Sequence, residues 1–186
     1  PEGSLQLIPG TGKGILDHVG HNDIVTFTGS ASTGKILKSH PNILENSVPF
    51  NMEADSLNAC VLGEDVDESS DEFIIFIKEI YREMTAKTGQ KCTAVRRILV
   101  PENKIDQVQK ALITKLEKTV IGNPENKDVR MGALASKIQV ERVKENVELL
   151  MESQEKVFDN SSNLNLVDAS DCLLYTSDAA DDAHGV

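Results

Sequence analysis

The stretch IVTFTGSASTGK, residues 24–35, decides how this chain reads. Ile24-Val25-Thr26-Phe27-Thr28 is a β-branched and aromatic run, which is strand composition, and it is expected to be buried. Gly29 and Ser30 interrupt it, and a helix is expected from about Ser32 to just before Pro41. A strand that hands a glycine and a serine to a helix start presents unpaired backbone N–H groups and the positive end of the helix dipole. That combination seats a phosphate. Gly29 and Ser30 serve equally well as an ordinary turn and N-cap, so the residues alone leave both readings open. The spacing from Gly29 to Gly34-Lys35 also outlines a triphosphate loop. Such a loop needs Ser or Thr after the lysine to bind magnesium, and this chain has Ile36.

Working outward, Ser4 to Ile8 alternates and stops at Pro9-Gly10, which predicts a short strand entering the glycine-rich turn PGTGKG, residues 9–14. Ile15 to Val19 reads as a helical turn or two. Val48–Met52 and Asn58–Leu62 read as two further strands. From Asp71 to about Thr88, the apolar residues Phe73, Phe76, Ile77, Ile80, Tyr81 and Met84 recur at three- and four-residue steps behind an acidic first turn. This predicts an amphipathic helix that Gly89 closes. Val95–Val100 is a strand stopped by Pro101. Helices are expected over 104–120 and 136–155, joined by the loop IGNPENKDVRMGAL. Strands alternating with helices predict an α/β fold with mostly parallel strands. After Asn160 the pattern fades, and residues 161–186 read as an unstructured or foreign tail.

Composition narrows the function classes. The 186 residues are 39% hydrophobic, enough for an ordinary core. Nineteen Lys and Arg against thirty Asp and Glu give a net charge of -11 without a basic stripe, which argues against a nucleic-acid partner. No apolar run approaches the roughly 20 residues that span a bilayer. Three widely separated cysteines, Cys60, Cys92 and Cys172, fit a reduced, cytoplasmic setting better than a disulfide framework, and no Cys/His cluster points to a metal.

Two residues stand out as reactive candidates. Cys92 follows a helix and a glycine, with Lys91 beside it and Arg96 and Arg97 close behind; neighbouring cations raise the thiolate fraction of a cysteine. The alternative is a small core residue, which is also the reading of Cys60. Glu53 ends the apolar run Val48-Pro49-Phe50-Asn51-Met52, where partial burial would make its carboxylate a stronger base; the alternative is a solvated acid at a strand end. Asp55 is a weaker candidate for the same role.

Taken together, FTGSASTG at 27–34, Glu53, and GQKCTAVRRILVPE at 89–102 resemble the aldehyde dehydrogenase superfamily. Glu53 follows Ser30 by 23 residues and precedes Cys92 by 39, and IGNPENKDVRMGALAS, residues 121–136, resembles the family's stretch downstream of the cysteine. NMEADSLNACVLG, residues 51–63, departs from the commoner Glu-Leu-Gly-Gly-Lys pattern around the base. With REMTAKTGQKCTAVRR, residues 82–97, it resembles the ring-opening branch that oxidises a CoA-linked semialdehyde with NADP in phenylacetate degradation.

The resemblance covers about residues 1–155. It implies part of a Rossmann-type cofactor domain over residues 1–53, followed by the start of an α/β catalytic domain over 54–160. It implies Cys92 as nucleophile and Glu53 as general base, with Gly10, Gly12, Gly29, Ser30 and Gly34 toward NADP or NAD. The full-length protein is then expected to be a homo-oligomer acting on an aldehyde, and this chain a middle slice with both sites half present. A non-catalytic cofactor-binding or interaction fragment and, behind it, a P-loop phosphotransferase are the competing classes.

Overall fold

The computed structural model describes residues 2–10, 12–159 and 165–168 and divides the chain into two compact units, one ending at Ser56 and the other beginning at Leu57. In the first, strand β1 (Val25–Gly29) leads through helices α1 (Ala31–Lys38) and α2 (Pro41–Glu45) into strand β2 (Phe50–Ala54). The β-branched run makes the strand, Ser30 caps α1, and Pro41 stands at the first turn of α2, where its missing N–H costs nothing. The two strands pair in parallel, Val25 opposite Phe50 and Gly29 opposite Ala54, so both carboxyl ends lie at one edge.

Leu16, Ile43 and Val48 form this unit's core, with Val25, Leu37 and Phe50 against it. The expectation of a buried β1 is corrected: Val25 and Phe27 are half-buried and the other three residues exposed, because only one neighbouring strand covers the ladder among the described residues. The strand expected over residues 4–8 is absent. Leu5 and Leu7 are 95% and 90% exposed there, and no described strand offers that backbone a ladder. Ile15–His18 forms one 3₁₀ turn.

The second unit is organised by strand β3 (Asn58–Val61), helix α3 (Asp71–Thr85) and strand β4 (Val95–Leu99), followed by helix α4 (Ile105–Leu116), strand β5 (Val120–Gly122), helix α5 (Lys137–Met151) and strand β6 (Asn165–Val167). β3 and β4 are parallel, with Asn58 opposite Val95 at their shared amino end. The predicted stripe of α3 makes the core: Phe73, Phe76, Ile77 and Ile80 are buried with Leu62, Val108 and Leu112, while Tyr81 and Met84 are half-buried. Ser70 caps α3, its Oγ accepting from the Phe73 N–H at 3.2 Å.

Two short strands escaped the sequence reading. β5 lies where a helix was expected to run on to residue 120, and β6 lies in the stretch read as a tail. Each has three residues, too few to show alternation, and they become strands by pairing with each other, Val120 with Asn165 through Gly122 with Val167. Helix α5 has no buried residue. The rest of the predicted tail, Cys172 included, lies outside the described residues.

Candidate active site

At the carboxyl edge of β1 and β2, Ser30 takes the N-cap of α1. Its Oγ accepts from the Thr33 N–H at 3.2 Å and lies 3.0 Å from the Ser32 Oγ. Parallel pairing sets Glu53 opposite Thr28, beside this turn. Glu53 is exposed, so the partial burial expected of it is not found: β2 ends at an open edge. Asp55 then takes a left-handed φ of 53°, and its Oδ2 accepts from the Ala31 N–H at 3.2 Å, while its own N–H donates to the Gly29 carbonyl. Position by position, Asp55 stands where the Glu-Leu-Gly-Gly-Lys pattern has its first glycine, the residue that adopts this backbone at least cost.

The glycines of this unit divide by environment. Gly34 is buried in α1, and a Cβ there would run into the thioether of Met52 and the ring of Phe27. Its small size lets α1 lie close on the sheet. Gly29 ends β1 beside the Phe27 ring. Gly10 and Gly12 lie in the exposed loop before the 3₁₀ turn, where a Cβ would meet nothing within 4 Å. Lys35 is exposed on α1.

In the second unit Cys92 is exposed, on a turn just before β4; it is not the core residue of the alternative reading. The approach to it is strained. Lys87, Thr88 and Gly89 take successive φ values of 52°, 58° and 71°, unusual for a lysine and more so for a β-branched threonine. Hydrogen bonds hold this shape: Thr88 Oγ1 donates to the Gly132 carbonyl at 2.9 Å, and Arg96 Nη2 to the Gly89 carbonyl at 2.9 Å. Gln90 Oε1 accepts from the Ala135 N–H at 2.7 Å. The segments GQKC and MGALAS, with 38 residues between them in the chain, are thereby joined beside Cys92. From β3, Asn58 Nδ2 donates to the carbonyls of Cys92 at 2.6 Å and Ala94 at 3.2 Å.

The cations expected to activate the thiol are engaged elsewhere. Lys91 Nζ lies 2.8 and 2.7 Å from the two carboxylate oxygens of Glu83 on α3, and Thr93 Oγ1 donates to the same carboxylate at 3.2 Å. The hydrogen bond from Lys91 holds the Glu83 carboxyl below the usual carboxylate range. Arg96 serves Gly89, and Arg97 Nε donates to the Leu57 carbonyl at 3.2 Å. Cys60 packs against the core, and burial pushes its thiol up, consistent with an inert structural residue. Asn58, Glu83 and Gln90 were not singled out from sequence. Gln90 sits inside the quoted motif, but nothing in local periodicity marks Asn58 or Glu83, since their partners are 34 and 8 residues away.

The aldehyde dehydrogenase family model matches residues 1–169. This chain belongs to the aldehyde dehydrogenase family. The match extends past residue 155, the end of the sequence resemblance, and takes in β6. The chain is 43% identical over 169 residues to a 3,4-dehydroadipyl-CoA semialdehyde dehydrogenase from Aromatoleum evansii, covering 91% of this chain and 33% of that protein. It is 32% identical over 146 residues to an α-ketoglutaric semialdehyde dehydrogenase from Bacillus subtilis, covering 76% and 28%. Among solved structures, a double mutant of betaine aldehyde dehydrogenase from Staphylococcus aureus in complex with NAD+ superimposes with a TM-score of 0.65 at 26% identity, over 73% of this chain and 26% of that one. The chain thus spans about a third or less of these relatives.

Proposed function

We propose that the full-length protein oxidises an aldehyde of the CoA-linked semialdehyde class to its acid with NADP or NAD, in aromatic ring degradation of the phenylacetate type. The carrying observation is Cys92: an exposed thiol on a turn tied to β3 through Asn58 and to the 131–136 segment through Gln90, in a chain of this family. The 43% identity to a CoA-linked semialdehyde dehydrogenase supports the substrate class. In this reading residues 1–53 are the end of the cofactor domain and residues 54–160 the start of the catalytic domain.

The chemistry follows from the residues. Cys92 Sγ adds as thiolate to the aldehyde carbon, and the resulting alkoxide takes up a proton to give a thiohemiacetal. A bound NADP or NAD supplies the hydride acceptor for this oxidation. Loss of that hydride and of the hydroxyl proton leaves the acyl group on Cys92 as a thioester. Glu53 then takes a proton from water, whose oxygen attacks the thioester; the acid departs and the thiol is restored. The Cys92 backbone N–H is suited to stabilise the developing oxyanion. The α1 amino terminus fits an anionic pyrophosphate, because the Ala31 N–H already receives a carboxylate oxygen from Asp55. Gly29 and Ser30 would hold the phosphates there, in competition with that carboxylate.

Turnover of a CoA-linked semialdehyde by the full-length protein, followed through nicotinamide reduction, tests the proposal. Cys92→Ser is expected to abolish oxidation while leaving cofactor titration intact. Undiminished activity in that variant would remove Cys92 from the mechanism.

A further inference from the structure

We infer that Glu83 is a positioning residue for the nucleophile, withholding the Lys91 ammonium from the Cys92 thiol while tying down both residues that flank it. The inference rests on Cys92 being the nucleophile, as proposed above. One carboxylate on the last turns of α3 receives Lys91 Nζ through both oxygens and Thr93 Oγ1 through one. Its side chain is 12% exposed and that of Lys91 25% exposed, so water screens the pair only in part. Arg82, whose Nη2 lies 3.3 Å from Glu83 and 2.6 Å from Glu79, completes the cluster. Other cations around this end of α3 are committed or solvent-facing: Arg96 donates to the Gly89 carbonyl, Arg97 to the Leu57 carbonyl, Arg130 to the Thr85 hydroxyl and the Arg82 carbonyl, and Lys87 is exposed.

Two consequences follow from charge and geometry. The residue adjoining Cys92 is a lysine, yet its ammonium is held by the Glu83 carboxylate on the α3 side. The two hydrogen-bonded neighbours also fix the turn, leaving Cys92 as the one residue of 91–93 not held by Glu83. A glutamine at position 83 keeps side-chain size and an acceptor oxygen but removes the negative charge. The ammonium would then act on the thiol uncompensated and raise the thiolate fraction.

The test is the rate of Cys92 alkylation by iodoacetamide in the whole 186-residue chain. Peptide mass spectrometry resolves Cys92 from Cys60 and Cys172. Four proteins form a cycle: wild type, Glu83→Gln, Lys91→Met and the double variant. At neutral pH, Glu83→Gln is expected to speed Cys92 alkylation about threefold and to lower the pH at which the rate is half-maximal. Lys91→Met, which strands the carboxylate, is expected to slow it about twofold, and the double variant to return to the wild-type rate. An unchanged or slower rate in Glu83→Gln, or a gain that persists in the double variant, would overturn the inference, since a merely loosened turn would not depend on Lys91. If Glu83→Gln exposes Cys60 to alkylation and so fails to fold, Lys91→Met decides alone: slowing supports the inference, and an unchanged or faster rate overturns it. Alkylation needs no turnover, so the inference and the proposed oxidation can fail separately.

Discussion

Replacing Asn58 with alanine removes both hydrogen bonds that brace the Cys92 turn from β3, the 2.6 Å bond to the Cys92 carbonyl and the 3.2 Å bond to the Ala94 carbonyl. The first is solvent-exposed and the second partly buried, so together they contribute about 1–2 kcal/mol. That raises the population of the opened turn about five- to thirtyfold, provided β3 itself stays paired with β4. Amide hydrogen exchange at Ala94 reads this opening, because that N–H closes the turn onto the Lys91 carbonyl at 3.2 Å. The amides of α3 serve as an internal reference. Asn58→Asp should open the turn at least as far: a carboxylate cannot donate, and it sets negative charge against two carbonyl oxygens. An Ala94 exchange rate within about twofold of wild type in both variants would refute the reasoning and leave the shape of the turn to the bonds made by Thr88, Gln90, Arg96 and Glu83.

Two further outcomes are expected. Ile80 is fully buried at the centre of the α3 core, so Ile80→Ala should cost about 2–5 kcal/mol in urea unfolding of the second unit, and a loss below about 1 kcal/mol would show that the cavity collapses freely. Asp55→Gly removes both a left-handed non-glycine residue and the carboxylate on the Ala31 N–H; these nearly offset in stability, and cofactor titration of the full-length protein should tighten several-fold, whereas unchanged or weaker binding would separate Asp55 from the phosphate seat.

Much of the architecture was legible because it is written in local patterns. The stripe from Phe73 to Met84 predicted α3 and its buried face, and the β-branched run before Gly29 predicted β1 and the helix after it. Short elements and burial were less legible. β5 and β6 exist because each has the other as a partner, and Leu5 and Leu7 are exposed because no described strand lies beside them. Neither fact is encoded within a window of five residues. For the site, the identity of Cys92, Glu53, Gly29 and Ser30 as candidates came from residue type and spacing, as did the resemblance that the family match supports.

Sequence by itself determined the family and the candidate nucleophile, since both depend on motifs whose order along the chain is their information. Tertiary structure alone decided what surrounds that candidate. Lys91 adjoins Cys92 in sequence and suggested an activating charge, but a carboxylate eight residues earlier, one side of a helix away, takes its ammonium and its other neighbour's hydroxyl. Whether a charge is felt depends on what else stands within a few ångströms of it, and that is a property of the folded chain.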